Sequence, residues 1–142
     1  MSRSGYEDQY DNWALIRYRG AVASAIRGKR GQALLRELLA ALDALPEKRL
    51  IGESFVAEGG VCALGAVCAA RGVEPPDYDM GDAADAAADL LSVSRALAAE
   101  VMYLNDEGGP YRESPEWRWQ RMWAWVAEQI LTEDAERART GR

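Results

Sequence analysis

From Gly59 to Val73 the chain reads Gly-Gly-Val-Cys-Ala-Leu-Gly-Ala-Val-Cys-Ala-Ala-Arg-Gly-Val, fifteen positions with a single charge at Arg71. A membrane span needs about 20 apolar residues, so a stretch this short and small-residued has to be buried in protein. It predicts a central buried helix over Val61 to Gly72, closed at Gly72, with neighbouring helices drawn close by its alanines and glycines. Cys62 and Cys68 both lie in this run. Six positions on a helix put them on different faces, so the expectation is two reduced, buried thiols rather than a disulfide.

The flanking sequence is mostly helical in period. Asn12 to Ile26 carries Trp13, Ile16, Ala23 and Ile26 near one stripe, with Asp11 or Asn12 as N-cap. Arg27-Gly28-Lys29-Arg30-Gly31 then predicts a tight basic turn, either glycine supplying a left-handed cap. A second helix over Gln32 to Leu45 follows, with Leu34, Leu35, Leu38, Leu39 and Leu42 on its apolar face and Pro46 stopping it. Between Leu50 and Gly60, β-branched and aromatic residues set among glycines predict a short extended segment or hairpin, with a continuous bent helix as the competitor. Hydrophobic residues at 49% and charged residues at 28% of 142 positions suit one mainly α domain of five or six helices, residues 1–142, with 1–10 and 133–142 expected as mobile tails.

Three further segments carry specific expectations. Asp77, Asp79 and Asp82 crowd one loop, but a calcium loop needs a glutamate about six residues past its glycine, where this chain has Ala87. Asp79 or Asp82 is therefore read as a cap on the next helix. Residues 83–104 resemble a helix-turn-helix, with Ala88 and Val101 at core positions and a turn at Leu91 to Ser94. The second helix would then present Arg95, Ala96, Ala99 and Glu100, a poor set for reading bases, so an αα-corner is preferred. Asn105-Asp106-Glu107-Gly108-Gly109-Pro110 is loop by composition. Ser114-Pro115-Glu116 then opens a last helix running to about Glu136, with Trp119, Met122, Trp123, Val126 and Ile130 inward, Trp117 opposite and Trp125 on the flank.

Charge is unevenly spread. Asn12 to Leu50 holds eight basic and three acidic residues, a net of plus five, and the remaining nine basic and twenty acidic residues give minus eleven. Arg17, Arg27, Lys29, Arg30 and Arg36 are thus candidates for contacting nucleic acid or another anion, although no phosphate-loop motif is present. Trp117 and Trp125, with Arg121 on the same helix and Asp106 and Glu107 before it, are candidate contacts for a protein partner. The chain has no histidine and only two cysteines. Histidine-based triads and general bases and a tetrahedral cysteine zinc site are therefore ruled out. The expectation is a non-enzymatic protein without metal or cofactor. The N-terminus lacks the apolar core of a signal peptide, which points to the cytoplasm.

Several motifs occur in order along nearly the whole chain: Met1-Ser2-Arg3-Ser4-Gly5-Tyr6, Tyr18-Arg19-Gly20-Ala21-Val22, Ala25 to Gln32, Val61-Cys62-Ala63-Leu64-Gly65-Ala66, Asn105-Asp106-Glu107, and Ser114-Pro115-Glu116 with Arg118-Trp119. In these the chain resembles a family of small bacteriophage and prophage proteins of uncharacterised function. The resemblance implies a phage accessory product in the cytoplasm of an infected or lysogenic bacterium. Such a product would bind a host protein or nucleoprotein complex, as an inhibitor of host defence such as an anti-CRISPR does. A small nucleic-acid-binding or regulatory protein is the alternative, as is a self-associating structural or assembly component. No membrane partner is expected.

Overall fold

The computed structural model describes residues 3–4, 12–76 and 82–132. It is mainly helical: α1 (Asn12–Arg27), α2 (Lys29–Ala44), a hairpin of β1 (Val56–Ala57) and β2 (Gly60–Val61), α3 (Ala63–Arg71), α4 (Ala83–Leu91), α5 (Arg95–Glu107) and α6 (Pro115–Gln129). The short antiparallel hairpin pairs Val56 with Val61 and Ala57 with Gly60. It decides for the extended reading of 50–60, because Glu58 and Gly59 both take positive φ (41° and 81°), which a continuing helix does not accept.

α2 is the element most of the fold packs on, touching α1, α3 and α6, while α5 receives α1, α3, α4 and α6. Leu34, Leu35, Leu38 and Leu42 repeat at helical spacing and are buried. Each such leucine contributes about 1.5–3 kcal/mol of burial. α3 is as buried as its composition predicts, Ala63 to Cys68 being closed from solvent, and both cysteines are free thiols. Yet its nine residues offer little apolar area, and the leucine-rich α2 adds four fully buried leucines beside it. α3 ends at Gly72 (φ 68°), whose N–H and that of Val73 reach back to the carbonyls of Ala69 and Cys68.

Several boundaries differ from the sequence expectation. α2 starts at Lys29, not Gln32, so Lys29 and Arg30 are its first turn and the basic turn shrinks to Gly28. Gly28 is extended (φ −74°, ψ 163°), not left-handed. Gln32 explains the tight junction: its Nε2 donates to the carbonyls of Ile26 (2.7 Å) and Gln129 (2.9 Å), and its Oε1 accepts from Leu131 N–H (2.9 Å). That clamp ties the ends of α1 and α6 together. α6 stops at Gln129, earlier than expected, with Ile130 extended.

In α1 the packing is uneven, with Ala14, Leu15 and Tyr18 half-buried in the first half and Val22 closed off in the second. By contrast, Trp13 and Ile16, read as part of one apolar stripe, are 72% and 61% exposed. On α6 the inward stripe is Met122 and Val126, both 0% exposed. Trp119 and Trp123 flank it with their indole N–H groups bonded to the Leu42 carbonyl (3.0 Å) and Asp43 Oδ1 (2.9 Å). Arg3 and Ser4, expected in a mobile tail, are 3% and 1% exposed. The rest of 1–10, residues 133–142 and Asp11 lie outside the described residues.

Close approach at Gly65 generates a prediction. A Cβ there would lie 2.1 Å from the Phe55 carbonyl oxygen, whereas one at Gly20 on α1 meets nothing within 4 Å. Gly65→Ala is expected to destabilise the protein by more than about 2 kcal/mol, and Gly20→Ala to stabilise it by about 0.5–1 kcal/mol. Urea midpoints of the two variants measure this.

Candidate functional site

Asn105 is predicted in a loop but occupies the last turn of α5, wholly buried. Its Oδ1 accepts the Ala63 N–H at 3.0 Å and so caps α3. Its Nδ2 donates to the Ile51 carbonyl and to Asp106 Oδ1, each at 2.9 Å. Asp106 Oδ1 also accepts the Glu53 N–H at 2.9 Å. Arg3 completes the cluster with a fork, Nε to Oδ2 at 2.6 Å and Nη2 to Oδ1 at 2.9 Å. The two side chains are only 1% and 4% exposed. Burial works against the Arg3 charge, but the Asp106 hydrogen bond and the nearby Cys62 outweigh it, and the guanidinium is held more firmly protonated than usual. It also lies 5.3 Å from the centre of the Phe55 ring, within cation–π reach.

A second cluster closes the other side of the same helix end. Glu113, with its side chain 4% exposed, is gripped by Arg121 through Nε (2.7 Å) and Nη2 (2.8 Å). The Arg121 hydrogen bond, against a smaller desolvation effect, pulls the Glu113 carboxyl below the ordinary glutamate range. Arg121 Nη1 donates to the Leu104 carbonyl (2.6 Å) and Arg118 Nε to that of Asn105 (2.9 Å). Arg118 Nη1 reaches the Leu50 carbonyl at 3.1 Å. Two arginines of α6 thus converge on the Asn105 carbonyl at the end of α5, and Arg121 adds a second donor to the Leu104 carbonyl, which also accepts the Gly108 N–H.

The five candidate partner contacts are therefore not one surface. Asp106 is locked to Arg3, and Arg121 is engaged with Glu113 and backbone. Trp125 is half-buried against the core, while Glu107 is exposed at the end of α5. Trp117 stands outward, 66% exposed. It lines an open groove of about 770 Å³ together with Arg121, so these two candidates do share a surface, and Glu113, Pro110, Arg112, Ser114, Gln120 and Ala124 complete the lining. Tyr111, between the lining residues Pro110 and Arg112 in sequence, is 90% exposed, and the Arg112 guanidinium lies 6.0 Å from its ring centre. Arg112 holds a φ of 107°, a strained conformation for a side-chain-bearing residue.

Among the candidate anion contacts, Lys29 and Arg30 line a separate cavity of about 500 Å³ with Ser24, Gly28, Gly31 and Ser94. Gly28 offers no side chain to cap α2, so its first amides have no side-chain acceptor. Arg17 and Arg27 are exposed but do not line this cavity. Arg36 donates to the Leu131 carbonyl at 2.8 Å.

The helix-turn-helix-like segment forms two helices joined through Ser92, which takes the left-handed conformation (φ 59°) usually left to glycine. Ala99 and Glu100, expected on the outer face of the second helix, are buried at 1% and 3% exposure. α1 covers them, and Arg19 Nη1 lies 3.0 and 2.9 Å from the Glu100 oxygens. That face is closed to a DNA groove. Of the acidic loop, only Asp82 is described; it sits at the α4 N-cap position without a side-chain capping bond. Among the described residues no group of three or more cysteine, aspartate or glutamate side chains is arranged to hold a metal.

Sequence reasoning missed Arg3, Glu113 and Arg118. Single charges in polar stretches carry no periodic signal, and only the Asn-Asp pair marked the region. The Glu113 grip has a pH consequence. A carboxylate whose folded pKa is depressed adds stability that is present above its unfolded value, roughly 4.3, and is lost as pH falls through the folded value. Thermal unfolding of the wild type between pH 6 and pH 3 should show this loss, and Glu113→Gln should flatten the acid limb. Comparison of the chain finds no matching family model, no matching curated protein and no matching solved structure.

Proposed function

We propose that this protein acts by binding a host protein, as a phage or prophage accessory product that inhibits a bacterial defence complex, an anti-CRISPR role being the specific form. The observation that carries the reading is the Trp117 groove. A tryptophan two-thirds exposed on a well-capped helix is a large apolar area held rigidly toward solvent. Such residues dominate binding energy at protein interfaces, and exposed apolar patches on monomers mark contact sites. Its strained Arg112 fits a loop shaped for contact rather than for stability. The motif resemblance to phage proteins supports the host side of the interaction.

Trp117→Ala should leave the unfolding midpoint within about 0.5 kcal/mol of wild type, because the side chain lies off the core. It should weaken the partner at least about thirty-fold, as loss of an interface anchor does. The measurement is affinity capture from infected host cells, with wild type, Trp117→Ala and Gln120→Ala compared side by side, followed by titration of the retained protein. Equal retention by wild type and Trp117→Ala would sink the reading.

A second reading, anion or nucleic-acid contact, is favoured by the cavity at the start of α2, where Lys29 and Arg30 flank amides without a side-chain cap. Binding there should weaken steeply with salt, and Lys29→Ala with Arg30→Ala should reduce the slope of log K against log salt by about two. Fluorescence anisotropy with short single- and double-stranded DNA and RNA tests it; flat curves at low salt dispose of it.

A further inference from the structure

The outer face of α1 has no part in the Trp117 groove. At about 100° per residue, Trp13, Ile16, Arg17, Gly20, Ser24 and Arg27 fall within about 60° of one line along the helix, opposite the buried Val22. All six are exposed. With a rise of about 1.5 Å per residue, the line runs about 21 Å from Trp13 to Arg27. Near its far end Ser24 is also a wall of the cavity that Lys29 and Arg30 line. Gly20 keeps the middle low, since a Cβ there would meet nothing within 4 Å.

Charge on this strip has one sign. No acidic residue occurs from Asn12 to Arg36. Arg19 is neutralised by Glu100, and Arg36 is turned to the Leu131 carbonyl. Arg17, Arg27, Lys29 and Arg30, however, have no ion-pair partner among the described residues. They lie in file instead of at one point, and the file begins one helical turn from a tryptophan whose ring stands in water.

A file of cations matches a linear polyanion, and its local field can hold one although the whole chain carries a net charge of −6. The tryptophan decides which polyanion. Stacking on an aromatic ring needs the flat face of an unpaired base, which a duplex hides and a carboxylate lacks. We propose that the outer face of α1, continued by the cavity at Lys29 and Arg30, is a track for single-stranded nucleic acid. Trp13 and Ile16 take a base, and Arg17, Arg27, Lys29 and Arg30 take phosphates. This deepens the anion reading above and rests on it: that reading needs only the cavity, whereas the track needs α1 as well.

The test is fluorescence anisotropy of the full-length protein with labelled oligothymidine, oligouridine and a duplex of equal length, at low salt and then across a salt series. The single strands are expected to bind, their ratio separating a DNA track from an RNA track, and the duplex to bind at least about five-fold more weakly for want of a stacked base. Four phosphate contacts give a slope of log K against log salt of about −3. Trp13→Ala should weaken binding at least about five-fold, with Trp13→Phe restoring most of it. Arg17→Ala with Arg27→Ala should lessen the slope by about 1.4. Gly20→Glu, which sets a carboxylate in the open middle of the track, should weaken binding as well. These positions are exposed, so unchanged thermal midpoints are expected and check the fold.

Duplex binding as tight as that of the single strands overturns the proposal, as does full affinity in Trp13→Ala. If Lys29→Ala with Arg30→Ala still weakens binding in either case, the anion reading stands alone. Polyglutamate that displaces oligothymidine at equal charge concentration assigns the face to an acidic protein and overturns the track too. Absence of any binding at low salt removes both.

Discussion

The structure depends on one buried amide. Asn105 closes the N-terminus of α3, takes up the Ile51 carbonyl and braces Asp106, so three separated stretches of chain meet at one side chain. The amide and the Ala63 N–H are sealed from water, and the Ile51 carbonyl and Asp106 are partly so. A stranded buried donor or acceptor costs about 1–3 kcal/mol, against a total stability of about 5–15 kcal/mol for an ordinary domain. A few such groups decide whether the helices hold one arrangement. Apolar burial on α2 drives collapse, but leucines slide past one another at small cost, whereas the Asn105 bonds permit one register.

Charge works in the same direction. The basic and acidic parts of the chain are bridged where Arg19 pairs with Glu100, while Arg71 with Glu37 and Arg3 with Asp106 tie together residues far apart in the chain. Exposed pairs such as Arg95 with Asp85 contribute about 0–1 kcal/mol. The closed pairs at Asp106 and Glu113 gain less in net stability than in geometry, since each carboxylate is satisfied in one orientation only. Both sit at the end of α5 and set the approach of α6 and of the segment before the hairpin.

What remains outward is therefore informative. Trp13 and Ile16 on the first half of α1, Trp117 in the groove and Tyr111 between two of its lining residues are large apolar groups left toward solvent. Among the described residues no helix is long and apolar enough to cross a membrane, so membrane insertion by helix does not account for them.

By itself the sequence determined the helical class, the leucine stripe of α2, the burial of Ala63 to Cys68, the Gly72 stop and the Ser114-Pro115 start of α6. Each is a local matter of period, capping or backbone freedom, written in adjacent residues. Only tertiary structure decided that the Asn-Asp pair is helical and central, that Arg3 is buried, that Trp13 faces water, and that Glu100 hides beneath α1. Those outcomes turn on which neighbour arrives from far along the chain. Arg3 meets Asp106 across 103 positions, and Asn105 meets Ala63 across 42. No periodicity in a short window encodes such a meeting, because its energy exists only once both partners have left water together.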